Sequence, residues 1–276
     1  MLSEINSDII NTIIQGETIE EMKRIADGSV DMILADLPYG TTACKWDTVI
    51  PFEPLWEQYE RVIKPNGAIV LTASQPFTSA LVMSNPGLFR YEIIWEKSRP
   101  TNSFMRKVQP LRYHENIVVF SKSTAHNMSK MPMKYYPQMM PKDESKKRTP
   151  RNISEHTLKD SVYGENRTLK VDDGTRGMAD DVYPKSVMLF HRDSKSGLHP
   201  TQKPVALFEY LIRTYTNEGE VVLDNVIGSG TTAVAAINTG RQFIGIEREE
   251  EYVNIARERV EQAYAERAKT EVMSND

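Results

Sequence analysis

Two short segments, nearly two hundred residues apart, carry side chains whose types and spacing could do chemistry. The first is Asp36-Leu37-Pro38-Tyr39, which puts a carboxylate, a rigid turn residue and an aromatic ring directly after the apolar run Val30–Ala35. A carboxylate at the end of a parallel strand lies at the ligand crevice of open α/β sheets. The same four residues also make an ordinary turn, with Pro at a permitted position. The second segment is Asp224-Asn225-Val226-Ile227-Gly228-Ser229-Gly230-Thr231-Thr232, with Glu247 closing the next apolar run. Glycines at a strand-to-helix turn let the backbone approach a ligand, and the helix N-terminus behind them presents free N–H groups. Glu247 follows Gly228 by 19 residues, a spacing that suits a carboxylate accepting hydrogen bonds from ribose hydroxyls. The turn lacks the Lys of a phosphate loop. It also lacks the full G-x-G-x-x-G spacing, because Thr231, Thr232 and Ala233 follow Gly230. Two readings remain: a ligand with a ribose and no phosphate, whose ammonium group Asp224 would meet, or a glycine turn that only packs.

These residues need strands and helices to hold them, and the hydrophobic pattern supplies both. Strands are predicted over Asp8–Ile14, Val30–Ala35, Ala68–Ala73, Tyr91–Glu96, Asn116–Ser121, Glu220–Leu223 and Phe243–Ile246. Helices are predicted over Glu17–Ala26, which Gly28 would close, and over Pro54–Ile63, Val205–Tyr215, Thr232–Asn238 and Glu250–Arg267. Strand–helix–strand units repeated in this way imply a parallel sheet covered on both faces. From Ser121 to Tyr183 the pattern breaks into Met, Lys, Ser, Asp and Gly without a sustained period, which reads as loops or a small irregular module.

The chain has 276 residues, 39% of them apolar, enough for a packed core in one large α/β domain or two small ones. No run approaches the roughly 18 apolar residues of a membrane span. The opening MLSEINSDII has acids where a signal peptide is basic. A single cysteine, Cys44, excludes an internal disulfide and a multi-Cys zinc site. We read an intracellular, soluble protein without a membrane partner. The net charge of −4 argues against a generic nucleic-acid binder, but it hides an asymmetry. Arg90–Asp160 holds 15 Lys/Arg against 7 Asp/Glu, so +8, and the rest of the chain sums to −12. This is either a basic face on an acidic body, which attracts a polyanion, or a solvated Lys-rich loop.

Taken together, the two segments resemble the amino-group DNA methyltransferases that use S-adenosylmethionine, in the circular order where the catalytic motif precedes the cofactor motif. DLPYG is similar to that family's catalytic tetrapeptide, HPTQKP to the motif before the cofactor strand, and DNVIGSGTT to the family's D-P-F-x-G-S-G-T-T. PTNSFMRKVQPLRYHENIVVFSK resembles the stretch ahead of the variable target-recognition region. The resemblance implies a doubly wound, mostly parallel Rossmann-like methyltransferase sheet with an inserted irregular target-recognition region. Residues 1–120 would be the catalytic half, 121–183 the insertion and 184–276 the cofactor half.

The resemblance also implies roles. The Asp36 carboxylate and the Leu37 carbonyl would accept hydrogen bonds from the target amine, Pro38 would keep the turn rigid, and Tyr39 would stack on the extruded base. Asp224, Gly228, Ser229, Gly230, Thr231 and Glu247 would hold S-adenosylmethionine, with Thr201 and Lys203 at its methionine portion. Glu17 would accept from its adenine amine or simply favour the start of its own helix. Arg99, Arg106, Lys107 and Arg112 would meet phosphates of double-stranded DNA, and no metal is needed. Leu37 stands where the family has Pro, and Asn225-Val226 where it has Pro-Phe. Asp at position 36 is the pattern associated with adenine N6, and Ser with cytosine N4. The alternatives are a cytosine-N4 enzyme and a catalytically silent DNA-binding relative. A homodimer and a cognate restriction endonuclease are compatible partners.

Overall fold

All six residues of Val30–Ala35 are buried, although neighbouring strand residues point to opposite faces. A strand buries both faces only within a sheet covered on both sides. We describe residues 8–41, 47–126, 129–141, 181–191 and 202–273 from a computed structural model. Eight strands build one sheet: β1 (Thr12–Gln15), β2 (Val30–Ala35), β3 (Ile63–Ala73), β4 (Phe89–Lys97), β5 (His114–Phe120), β8 (Val187–Phe190), β9 (Val221–Asp224) and β10 (Gln242–Glu247). A separate ladder pairs β6 (Met140–Pro141) with β7 (Asp181–Val182). The helices are α1 (Thr18–Met22), α2 (Phe52–Val62), α3 (Phe77–Ser84), α4 (Val205–Tyr215), α5 (Thr231–Asn238) and α6 (Glu250–Met273).

The strand order is β1-β10-β9-β2-β3-β5-β4-β8. β5 runs antiparallel to β3 and β4, and the other pairings in this sheet are parallel. Alternation sorts the core into two layers. Met32, Leu34, Val70 and Val119 face Leu207 and Leu211 of α4, Ala235 of α5 and Val253 of α6. Ile33, Ala35, Leu71 and Val118 face Met22 of α1, Leu55 and Tyr59 of α2, and Leu81 of α3. The sheet is therefore doubly wound and mostly parallel, as the sequence pattern predicts.

From β2 the chain crosses through α2 to β3 on one side. From β9 it crosses through α5 to β10 on the other. β2 and β9 are neighbours, with Met32 opposite Val222 and Ile33 opposite Leu223. This is a topological switch point, and ligands of open α/β sheets bind beyond the C-terminal ends of the strands at such a point.

Element ends differ from the sequence expectation for local reasons. The chain turns through residues 8–11, and β1 starts only at Thr12. Asn11, at φ 58°, donates its N–H to Phe243 O at 2.7 Å, and its Oδ1 accepts from Phe243 N at 3.1 Å. α1 stops at Met22 rather than Ala26. Gly28 thus belongs to the turn entering β2, where its N–H bonds to Arg61 O. β3 begins at Ile63 and carries Lys64-Pro65-Asn66-Gly67 within the strand, past a register shift against β2. The sequence pattern did not predict α3 or β8.

The sheet and its helices belong to one compact unit, Met1–Tyr136 with Lys185–Asp276, and Pro137–Pro184 forms a second. Beyond Ser121 the chain stays with the sheet. Met133 is buried, and Lys134 Nζ reaches Asp31 at 2.7 Å and Glu220 at 2.5 Å. Among the described residues, no helix is long and apolar enough to cross a membrane.

Candidate active site

β2 delivers Asp36 one residue past its last hydrogen-bonded position. Leu37 turns its side chain into the core, at 3% exposure, and the chain then bends through Pro38 to Tyr39. The Asp36 carboxylate is held on both oxygens. Oδ1 accepts from Tyr39 OH at 2.7 Å and from Thr72 Oγ1, and Oδ2 accepts from Lys203 Nζ at 2.6 Å. Thr72 is the penultimate residue of β3, the strand beside β2, so the sheet itself sets this contact. The Tyr39 ring stacks on Phe77 of α3, with centroids 5.2 Å apart and planes at 28°. Burial first, then the negative charges of Asp36 and Glu115, push the Tyr39 phenol well above its ordinary pKa, so it stays a donor.

Behind Asp36 lies a second carboxylate. Because β5 runs against its neighbours, its first residues reach the edge where β3 and β4 end. Glu115 there meets Lys97, the last residue of β4, through Oε1, and stands 3.4 Å from Lys203 Nζ through Oε2. The two lysines and two carboxylates balance in charge. Burial disfavours the charged form of Lys203, but Asp36 and Glu115 outweigh it and raise its pKa, so it remains an ammonium.

The neighbouring strand contributes the other half. Asp224, at 3% exposure, ends β9 beside β2. It accepts from Thr232 Oγ1 of α5 and from Val226 N at 3.1 Å. Burial raises its pKa to about 7 despite those bonds, and the charges of Asp36 and Glu247 add to the rise. A buried carboxylate this costly to ionise gains when a cationic ligand group arrives. Glu247, at the end of β10, accepts from Gly228 N and Glu249 N, both at 2.9 Å, which leaves each oxygen a further lone pair. Gly228, at φ 51°, faces open space, since a Cβ there would come no nearer than 3.9 Å to Val226 O. Gly230 has φ 86°, and a Cβ on it would press to 3.0 Å against Ala256 of α6.

Residues 30–258, more than four-fifths of the chain, match the DNA methylase family of N6 and N4 methyltransferases. The chain belongs to this family. It is 26% identical to the type II methyltransferase M.HinfI of Haemophilus influenzae, over 94% of this chain and 71% of that protein. The solved structure of an M1.HpyAVI–SAM complex is similar with TM-score 0.56 and 24% identity, over 90% of this chain and 98% of the other. PvuII DNA methyltransferase, described as cytosine-N4-specific, is similar with TM-score 0.60 and 15% identity, over 90% and 85%.

In this methylase the switch point brings Asp36, Leu37, Pro38 and Tyr39 to the same sheet edge as Asp224, the Gly228–Thr231 turn and Glu247. Several other residues named from the sequence already have partners within the chain. Lys203 is spent on Asp36 and Glu115, because an ammonium at 7% exposure needs carboxylates around it. The Ser229 carbonyl and hydroxyl both accept from Arg259 of α6, at 2.5 and 3.1 Å. The Glu17 carboxylate caps α1 by accepting from Glu20 N at 3.0 Å. Arg99, Arg106 and Lys107 are exposed. Arg112 is anchored, with its guanidinium donating to Ser74 Oγ at 2.9 Å. Thr201 and Cys44 lie outside the described residues.

Sequence reasoning missed Thr72, Lys97, Phe77 and Glu115. For Thr72, Lys97 and Glu115 the one signal is a polar residue at the end of an apolar strand, as in AIVLTA or HENIVVF, and Phe77 of α3 carries none. The carboxylate acceptors at the ends of β9 and β10 fit a group carrying a ribose and a cation. An orphan donor lies beside them: Asn225 Nδ2 is buried with no partner among the described residues, although Asn225 Oδ1 accepts from Tyr59 OH.

Proposed function

We propose that this DNA methylase transfers the methyl group of S-adenosylmethionine to the N6 amino group of an adenine flipped out of duplex DNA. The observation that carries the reading is the placement of Asp36 at the switch point, next to the strand that bears Asp224 and the glycine turn. S-adenosylmethionine, when bound, supplies a methyl group on a positively charged sulfur, which needs no metal to activate it. Asp224 would balance its positive charge, Glu247 would accept from its ribose hydroxyls, and Gly228 would leave room for it.

The protein's own chemistry is positioning and electrostatics. An exocyclic amine is a poor nucleophile because its lone pair is delocalised into the ring. The Asp36 carboxylate and the Leu37 carbonyl hold its two protons and draw the nitrogen towards a tetrahedral shape, with its lone pair aimed at the methyl carbon. Tyr39, backed by Phe77, stacks on the extruded base and offsets part of the flipping cost of about a few kcal/mol. The methylated amine is strongly acidic, and its surplus proton passes to Asp36. Lys203 and Glu115 hold that carboxylate in line. Selection of the sequence falls to the segment 121–183, whose sequence has no sustained hydrophobic period, and the basic arm between β4 and β5 meets phosphates.

Asp at position 36 is the pattern that the family resemblance associates with adenine N6, where Ser is more typical of cytosine N4. DNA methylated by the purified protein, digested to nucleosides and weighed by mass spectrometry, is expected to yield N6-methyladenine. N4-methylcytosine as the sole product would overturn the adenine assignment.

A further inference from the structure

The arm that joins β4 to β5 carries Arg99, Arg106, Lys107 and Arg112, and has no acidic residue between Lys97 and His114. At its tip two apolar side chains stand in water: Phe104 is 80% exposed and Val108 74%. The arm itself is tied down. Lys97 N donates to Tyr113 O at 2.6 Å and Thr101 N to Arg112 O at 3.2 Å, closing its base as a ladder. Asn102, at 9% exposure, clamps the middle, with Oδ1 accepting from Arg112 N at 2.6 Å and Nδ2 donating to Pro110 O at 3.2 Å.

Above that clamp Ser103–Met105 forms a single 3-10 turn with Phe104 at its centre. Further turn bonds run from Val108 N and Gln109 N to Met105 O. Arg112 fastens the arm to Ser74, two residues after the Thr72 that donates to Asp36. The arm's two feet are Lys97 and Glu115, which belong to the ion network behind Asp36. An ordered, cationic projection with a bare aromatic tip therefore rises from the rim of the site that receives the extruded base.

We propose that Phe104 is a wedge that enters the duplex at the position the target nucleotide vacates, while Arg106 and Lys107 beside it engage the flanking phosphates. Extrusion opens a gap between two base pairs, and an apolar side chain inserted there restores the lost stacking. The run of cations suits a polyanion as the occupant of this surface, and the DNA that this family modifies is one. The inference rests on base-flipping DNA methylation and is independent of whether the base is adenine or cytosine.

The test uses two duplexes built around the target site, which methylation-aware sequencing first maps for the wild-type protein. One duplex is fully paired. The other has an abasic position opposite the target, so that flipping breaks no pair. Single-turnover methylation is measured with saturating protein. Phe104→Ala is expected to slow the paired duplex about tenfold and the pre-opened duplex less than about twofold, with Phe104→Leu retaining most of the rate. Equal losses on both duplexes, or no loss on either, would overturn the wedge. So would a wild-type dimer that Phe104→Ala disperses, which assigns the side chain to a contact between copies. Wild-type product containing methylcytosine refutes only the adenine reading, and the same paired and pre-opened comparison is then run around that cytosine.

Discussion

Asp36 is held before any substrate arrives, with Tyr39 and Thr72 on one oxygen and Lys203 on the other, which leaves Oδ2 a lone pair for an incoming amine. The carboxylate's direction is thus fixed in advance by its existing donors, and little reorganisation accompanies the reaction. Asp36→Ala should lower the methyl-transfer rate by about a thousandfold, the upper range for removing a preorganised group. Isothermal titration should find S-adenosylmethionine affinity within about twofold of wild type, and full residual activity would remove Asp36 from its role.

Asp224 makes a prediction of the opposite kind, about binding. Its folded-state pKa of about 7 lies above the ordinary 3.8. The native state therefore binds more protons than the unfolded chain between those values, and this group's contribution to stability falls as pH rises through that window. A cationic ligand reverses the preference by favouring the carboxylate. S-adenosylmethionine should accordingly bind about tenfold more weakly at pH 6 than at pH 8. The difference should vanish in Asp224→Asn. A flat profile in the wild type would show that Asp224 does not face the cation.

At the scale of elements, three apolar strands run out into acids: β9 ends in Asp224, β10 ends in Glu247, and Asp36 directly follows β2. That much was legible in the sequence, because burial on both faces produces continuous apolar runs that break sharply at the functional edge. Thr72, Lys97 and Glu115 were not legible. Their roles depend on which strands are neighbours and on the reversed direction of β5, and side-chain periodicity reports burial without reporting either. The partners of Lys203 were not legible for the same reason, since its two carboxylates come from the distant β2 edge and the start of β5.

The glycine turn shows both constraints at one residue. Gly230 has a left-handed backbone and a close neighbour in Ala256, whereas Gly219 has φ 78° and nothing within 4 Å of the place a Cβ would take. Gly219→Ala should therefore cost about 1 kcal/mol, from backbone strain alone. Gly230→Ala should cost about 2 to 3 kcal/mol, because α6 must also move. Urea midpoints of the two variants test the ordering, and S-adenosylmethionine affinity should fall only in Gly230→Ala. Equal midpoints would mean that α6 yields freely.

At the scale of the whole molecule, charge is segregated along the chain, with +8 over Arg90–Asp160 against −12 elsewhere. The acidic remainder discourages DNA from lying anywhere but along the basic stretch, so a protein of net charge −4 can still bind a polyanion at one place. If Arg99, Arg106, Lys107 and Arg112 each meet a phosphate, as proposed, binding releases condensed counterions and each contact adds about −0.9 to the slope of log affinity against log salt. Four such contacts predict about a hundredfold loss of DNA affinity between 50 and 200 mM salt. Fluorescence anisotropy with a labelled duplex checks this, and Arg106→Gln or Lys107→Gln should each flatten the slope by about one. Lys269→Gln on α6, an exposed cation outside the basic stretch, should leave the slope unchanged. If Lys269→Gln flattened it as much as the arm variants did, the DNA would follow the protein's overall field rather than the arm, and the phosphate contacts assigned to these four residues would fall.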